Sequence, residues 1–155
     1  MKIMINVTNQ NLKKKINILE IKNITKIILK NTIKTNKNIG INILFTTNQK
    51  MRFFNRKYFS KDHSTDVIAF SYKNKKNNIF NDEKTNYICI GDIIISLDKA
   101  KNNSKIYNTN FLNEVYLYII HGILHIIGFN DIKETDKKIM QKKENELLQK
   151  IKKRK

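Results

Sequence analysis

The chain has 155 residues, a formal net charge of +18 and 40% hydrophobic residues. That length suits a single domain spanning 1–155 with a real core, and it argues against two full domains. No run of 18 apolar residues is present, so no transmembrane helix is expected. The polar N-terminal stretch also lacks the apolar run of a secretory signal. Cys89 is the only cysteine, so an intramolecular disulfide is impossible, which fits a reducing, cytoplasmic setting.

Three residue types dominate: 28 Ile, 28 Lys and 23 Asn, while Pro and Trp are absent. This pattern matches drift toward AT-rich codons, so part of the charge reflects composition rather than selection. A lysine-rich surface still attracts phosphates whatever its origin, which makes a nucleic acid the expected partner. The rare residues become informative for the same reason. Gly91, Gly122 and Gly128 are three of only four glycines.

In chain order, residues 3–7 read as a short strand and 8–15 as a basic loop. Apolar positions from Leu19 to Ile33 recur at helical spacing. Residues 41–45 form a second predicted strand and 48–58 a helix carrying Met51, Phe54, Asn55 and Tyr58. A polar stretch from Ser60 to Asp66 leads into a third strand at 67–70. Residues 73–86 read as an exposed hairpin loop. Tyr87 to Leu97 is a long β-rich run, and 101–109 is polar. A strongly apolar helix is predicted from about Asn110 to Ile127, and a last helix over 135–151, with 152–155 as a basic tail. The expected fold is α/β (α+β): a small mixed sheet of about four strands against about five helices.

The chemistry concentrates in His121-Gly-Ile-Leu-His125-Ile-Ile-Gly128-Phe-Asn-Asp131. Two histidines four apart share one helix face, so both imidazoles can reach one point. A histidine pair in an apolar helix needs partners, and a shared metal supplies them. Gly128 sits where a helix ends in a left-handed residue, turning the chain back. Asp131 can then return as a third ligand. Two histidines and a carboxylate with an open position is the arrangement of catalytic zinc sites, here expected at the end of a buried central helix.

This segment resembles the signature of the YbeY family of bacterial rRNA maturation factors, which are metal-dependent endoribonucleases. The family pattern is His-Gly-x-Leu-His-x-x-Gly-aromatic-x-His, and here the last histidine is Asp131. Upstream, Phe54-Asn55, Tyr58, Thr65-Asp66-Val67-Ile68 and Phe70 resemble its Leu-Asn-x-x-Tyr and Thr-Asp-Val-Leu-x-Phe segments. Ile90-Gly91-Asp92-Ile93 resembles its Leu-Gly-Asp-Ile segment. The resemblance covers about residues 39–150.

It implies metal ligands at His121, His125 and, by position, Asp131, with His121 also taken as catalytic. The implied cofactor is one zinc ion per chain or another divalent ion. Aspartate adds negative charge to the ion, which predicts a weaker Lewis acid and better tolerance of manganese. Where many relatives carry an arginine after the tyrosine, this chain has Phe59. Arg56, Lys57 or Lys61 is expected to supply positive charge for RNA instead. Asp66 and Asp92 read as strand-end hydrogen-bonding residues. Asn55, Thr65 and Ser96 read as structural, and His63 as an exposed loop residue.

The implied activity is single-strand-specific endoribonucleolysis in small-subunit rRNA 3′ end maturation and ribosome quality control. The small ribosomal subunit and a ribosome-associated GTPase are implied partners, and no membrane is. The alternative is a non-catalytic RNA-binding assembly factor with a structural metal. A metalloprotease is disfavoured, because zincins need a glutamate where Gly122 stands.

Overall fold

The computed structural model describes residues 1–73 and 86–154. Among them the elements run β1 (Ile3–Asn9), α1 (Ile18–Thr32), β2 (Asn38–Thr46), α2 (Asn48–Phe59), β3 (Val67–Ser71), β4 (Tyr87–Ser96), α3 (Leu97–Ile106), α4 (Phe111–Ile127) and α5 (Glu134–Lys152). Strand order is β1-β2-β4-β3. The first two pairings are parallel and β3 runs antiparallel to β4 at the edge. The sheet is therefore mixed and the fold α/β, as expected. The predicted hairpin loop at 73–86 lies almost wholly outside the described residues.

Strand alternation sorts the sheet into two unlike faces. Ile5, Ile41, Ile43, Ile93 and Ile95 point to one side, into the main core with α1 and α4. The alternate residues Ile68, Ile94, Leu44 and Phe70 point to the other, where α2 adds Met51 and Phe54 to a much smaller cluster. Among the described residues, one face is thus covered by several helices and the other only partly, by α2. No described helix is long and apolar enough to cross a membrane.

One element departs from expectation. The stretch read as the end of a β-run and a polar segment contains α3. Ser96 caps it, its hydroxyl accepting from the Lys99 amide at 3.1 Å. Asp98, in its first turn, accepts from the Asn48 amide at 2.9 Å, Asn11 Nδ2 at 3.1 Å and Lys14 Nζ at 2.6 Å. This one carboxylate joins the loop after β1, the start of α2 and the start of α3. Of the expected basic tail, Lys152 is the last residue of α5, and Lys153 and Arg154 form a turn.

Candidate metal centre

Helix α4 is apolar on nearly every side because it is packed between the sheet and other helices. Val115, Ile119, Ile120, Ile123 and Leu124 are fully buried in it. Gly122 faces the sheet: a Cβ there would lie 2.8 Å from Ile93 Cγ2. The position that carries the zincin glutamate therefore has no room for one and points away from the histidines. His121 and His125 lie on another face of α4, each partly exposed.

The helix ends at Gly128, with φ 109°. Its amide donates to the His125 carbonyl at 3.1 Å, and the Phe129 amide donates to the Leu124 carbonyl at 2.9 Å. Asn130 then accepts from the Ile132 amide at 2.8 Å, a side-chain turn that directs Asp131 back over the last turn of α4. One ligand atom from each of His121, His125 and Asp131 lies within 4.8 Å of the other two. His125 Nε2 and His121 Nε2 are 3.0 Å apart, and Asp131 Oδ2 is 3.5 Å and 3.9 Å from them respectively.

Both rings are oriented through their other nitrogens. His125 Nδ1 donates to the Phe129 carbonyl at 3.2 Å. His121 Nδ1 donates to Glu144 Oε1 at 2.6 Å. In the neutral rings, both Nε2 lone pairs consequently face each other. Two acceptors 3.0 Å apart repel unless a proton or a cation sits between them. Two nitrogens bound to one tetrahedral zinc would stand about 3.3 Å apart. The donor set and its spacing therefore fit a divalent ion. Burial favours the neutral His121 ring, but Glu144, with Asp66 and Asp131 nearby, outweighs it and raises the pKa above the ordinary histidine value.

Glu144 was not anticipated. Its side chain is 12% exposed and comes from α5, 23 residues away in sequence. A signal was present: Met140, Leu147 and Ile151 form the buried stripe of α5, and Glu144 is the acid that falls inside it at the same helical spacing. A carboxylate holding the far nitrogen of a metal-ligating histidine fixes the tautomer and increases ligand basicity.

The three ligand atoms open onto a cleft of about 500 Å³ whose other wall includes Phe59, Lys61, His63 and Thr65. Of the three predicted basic residues, only Lys61 lines it. Arg56 Nε instead lies 3.8 Å from Asp62, which Arg52 grips through two bonds of 2.8 Å and 2.9 Å. Lys57 Nζ sits over the Phe53 and Tyr58 rings, at 5.9 Å and 5.4 Å from their centroids. Asn55, Asp66 and Thr65 shape the loop before β3. Asn55 Nδ2 donates to the His63 carbonyl at 2.9 Å, and Asp66 accepts from the Val67 amide at 2.8 Å and the Thr65 hydroxyl at 3.2 Å. Asp92 lies on the opposite sheet face, where it accepts from Asn42 Nδ2 at 2.7 Å.

The profile of the Endoribonuclease YbeY family matches residues 6–152. The chain belongs to this family. A YbeY endoribonuclease from Fusobacterium nucleatum is 38% identical over 125 residues, covering 81% of this chain and 75% of that protein. One from Karelsulcia muelleri is 39% identical over 122 residues, covering 78% and 79%. One from Clostridium botulinum strain Langeland is 32% identical over 160 residues, covering 94% and 96%. The solution structure of TM1509 from Thermotoga maritima shares the fold, with a TM-score of 0.60 at 20% identity, over 96% of this chain and 88% of that one. The YbeY features named from the sequence thus fall on α2, on α4 and its C-terminal turn, on the loop into β3, and on β3 and β4.

Proposed function

We propose that this YbeY chain is a metal-dependent endoribonuclease that cuts single-stranded regions of rRNA during small-subunit maturation. The observation that carries this reading is the convergence of His121 Nε2, His125 Nε2 and Asp131 Oδ2 at the base of an open cleft. The family's name supplies the reaction class, and the net charge of +18 suits a polyanionic substrate.

His121, His125 and Asp131 hold the ion, one per chain, with zinc the ion best matched to this donor set. When bound, it polarises a phosphoryl oxygen and acidifies a water at an open position. Glu144 keeps the His121 Nδ1 protonated, so that Nε2 stays available. Lys61 attracts the phosphodiester into the cleft as a point charge. Small-subunit particles and a ribosome-associated GTPase are the partners we assign, and the cytoplasm the compartment.

The test is elemental analysis of the purified protein, paired with cleavage of a single-stranded RNA. About one zinc or similar ion per chain is expected. It should be lost in His125→Ala and Asp131→Ala, with cleavage lost alongside it and on chelation. A folded parent that neither carries nor takes up metal, and leaves the RNA intact, refutes the reading. Phe59, at the position of the family's usual arginine, favours a second reading: an assembly factor that binds RNA without cutting it. Restoration of rRNA processing in cells by a folded His125→Ala chain would select that reading.

A further inference from the structure

Helix α2 spends its aromatic residues unusually. It buries only Met51 and Asn55, while Phe53, Tyr58 and Phe59 stay 52%, 51% and 46% exposed. These rings are not scattered. Phe59 stacks on Phe70 of β3, centroids 6.0 Å apart at 15°. Tyr58 meets the same Phe70 edge-on at 5.2 Å, and Phe54 stacks on Tyr58 at 6.3 Å. The result is a ridge of rings, and a contiguous exposed aromatic patch of this kind marks a binding surface.

The ridge separates two clefts. Phe59 lines the metal cleft. Tyr58, Phe54 and Phe70 line a second groove of about 580 Å³ on the partly covered sheet face. The groove is lined by Leu44 and Ile94 as well as by a row of polar side chains hydrogen-bonded across strands. Asn6 Nδ2 donates to Asn42 Oδ1 at 2.9 Å, Asn42 Nδ2 donates to Asp92 at 2.7 Å, and the Tyr72 hydroxyl also donates to Asp92. Cations border the rings: Lys57 Nζ lies over Phe53 and Tyr58, and Lys61 lines the metal cleft.

We propose that this ridge and groove form a subsite for the unpaired bases of single-stranded RNA, next to the phosphate held at the metal centre. Rings stack bases of any identity, lysines at the rim meet the backbone phosphates, and amide, carboxylate and hydroxyl groups meet base edges. An apolar peptide would leave the Asn6–Asn42–Asp92 row and the cationic rim unmatched, whereas a base can meet both these and the rings. The consecutive residues Tyr58 and Phe59 serve the groove and the metal cleft respectively, so a strand can run over the ridge without a break. The subsite rests on the ribonuclease reading and extends it from phosphate to base.

The chain has no tryptophan, so 2-aminopurine fluorescence can be read without interference. The probe is a 2′-O-methyl oligoribonucleotide, which resists cleavage, carrying 2-aminopurine at each position in turn. The parent should quench the probe strongly at one or two positions. Tyr58→Leu and Phe59→Leu should lower affinity about five- to tenfold and relieve the quenching, whereas Phe59→Tyr retains both. No charge is removed, so the slope of log affinity against log salt should stay that of the parent. Both leucine variants change half-exposed side chains, and circular dichroism checks that they fold.

Leucine variants that bind and quench like the parent overturn the subsite. So does a parent that binds an abasic sugar-phosphate oligomer as tightly as the base-bearing one. Cleavage of ordinary RNA by the metal-loaded parent is measured alongside. If cleavage persists in either of those cases, the ribonuclease reading stands and only the subsite falls. If the parent neither binds nor cuts, both fall.

Discussion

Glu144 offers the sharpest test of how the metal centre is built. Its carboxylate lies 2.6 Å from His121 Nδ1 and is largely shielded from water, with a side chain 12% exposed. Removing it takes away an acceptor that fixes the tautomer of one of the three candidate ligands. Loss of such a supporting carboxylate typically weakens metal affinity about 10- to 100-fold. Glu144→Gln keeps an acceptor oxygen but loses the charge, so about tenfold is expected, or about 1.4 kcal/mol. Glu144→Ala loses both, and its effect should approach about 100-fold.

Competition with a chromophoric chelator measures the affinities directly, independently of any cleavage assay. The apo proteins need their own unfolding curves, because a hydrogen bond to a charged group is worth about 1.5–3 kcal/mol to the fold itself. Nitrogen chemical shifts of His121 give a second readout. The parent should show Nδ1 protonated, and the alanine variant a mixture of tautomers. If Glu144→Ala folds, keeps the parent tautomer and binds metal within about twofold of the parent, Glu144 is a packing residue and not a positioning one.

Asp131→His should shift preference toward zinc and away from manganese relative to the parent, as read by competitive metal loading, since imidazole is the softer donor. Gly122→Glu should not create a protease. The new side chain would meet Ile93 from 2.8 Å outward and bury a charge, so thermal unfolding should show a loss of about 3 kcal/mol or more. Asp98→Ala should destabilise the protein at neutral pH by about 1.5–3 kcal/mol, because three donors lose one acceptor. Burial opposes the Asp98 charge, but Lys14, the Asn48 amide and Asn11 outweigh it and lower the pKa. A depressed folded-state pKa gives stability that is present above the unfolded value of about 3.9 and lost below it. The gap between parent and variant in urea midpoints should therefore close as pH falls from about 5 to 3 and through the folded pKa.

The parts of the site that were legible are those carried by local geometry. His121 and His125 share a helix face by spacing alone, and the glycine that ends the helix sits three residues before Asp131. Nothing outside that short segment is needed to bring the three atoms together. Glu144 acts across a helix–helix contact, so its identity as an acid could be read but its target could not. Helix α3 was hidden for a different reason. Its buried residues are only Leu97, Ala100 and Ser104, two of them apolar, and the rest is Lys and Asn apart from Asp98 and an exposed Ile106. That thin stripe follows a strand whose apolar run resumes at Leu97 in the sequence, while Ser96, the residue that stops the strand, is an ordinary serine without its partner amide at Lys99.

The charge shows the same division between composition and placement. Lys14 is committed to Asp98, and Lys143 and Lys150 to Glu146, all at 3.1 Å or less. These are architectural, and exposed pairs such as those on α5 contribute little. Lys61 stands in the metal cleft and Lys57 over the rings of the ridge. Codon drift can scatter lysines over a surface, but it gives no reason for α2 to leave three aromatic rings half-exposed beside them. Arginine, absent from the position of Phe59, would have gripped a phosphate. Phenylalanine there offers a ring instead. On the reading proposed above, this surface would meet RNA by its bases as well as by its phosphates.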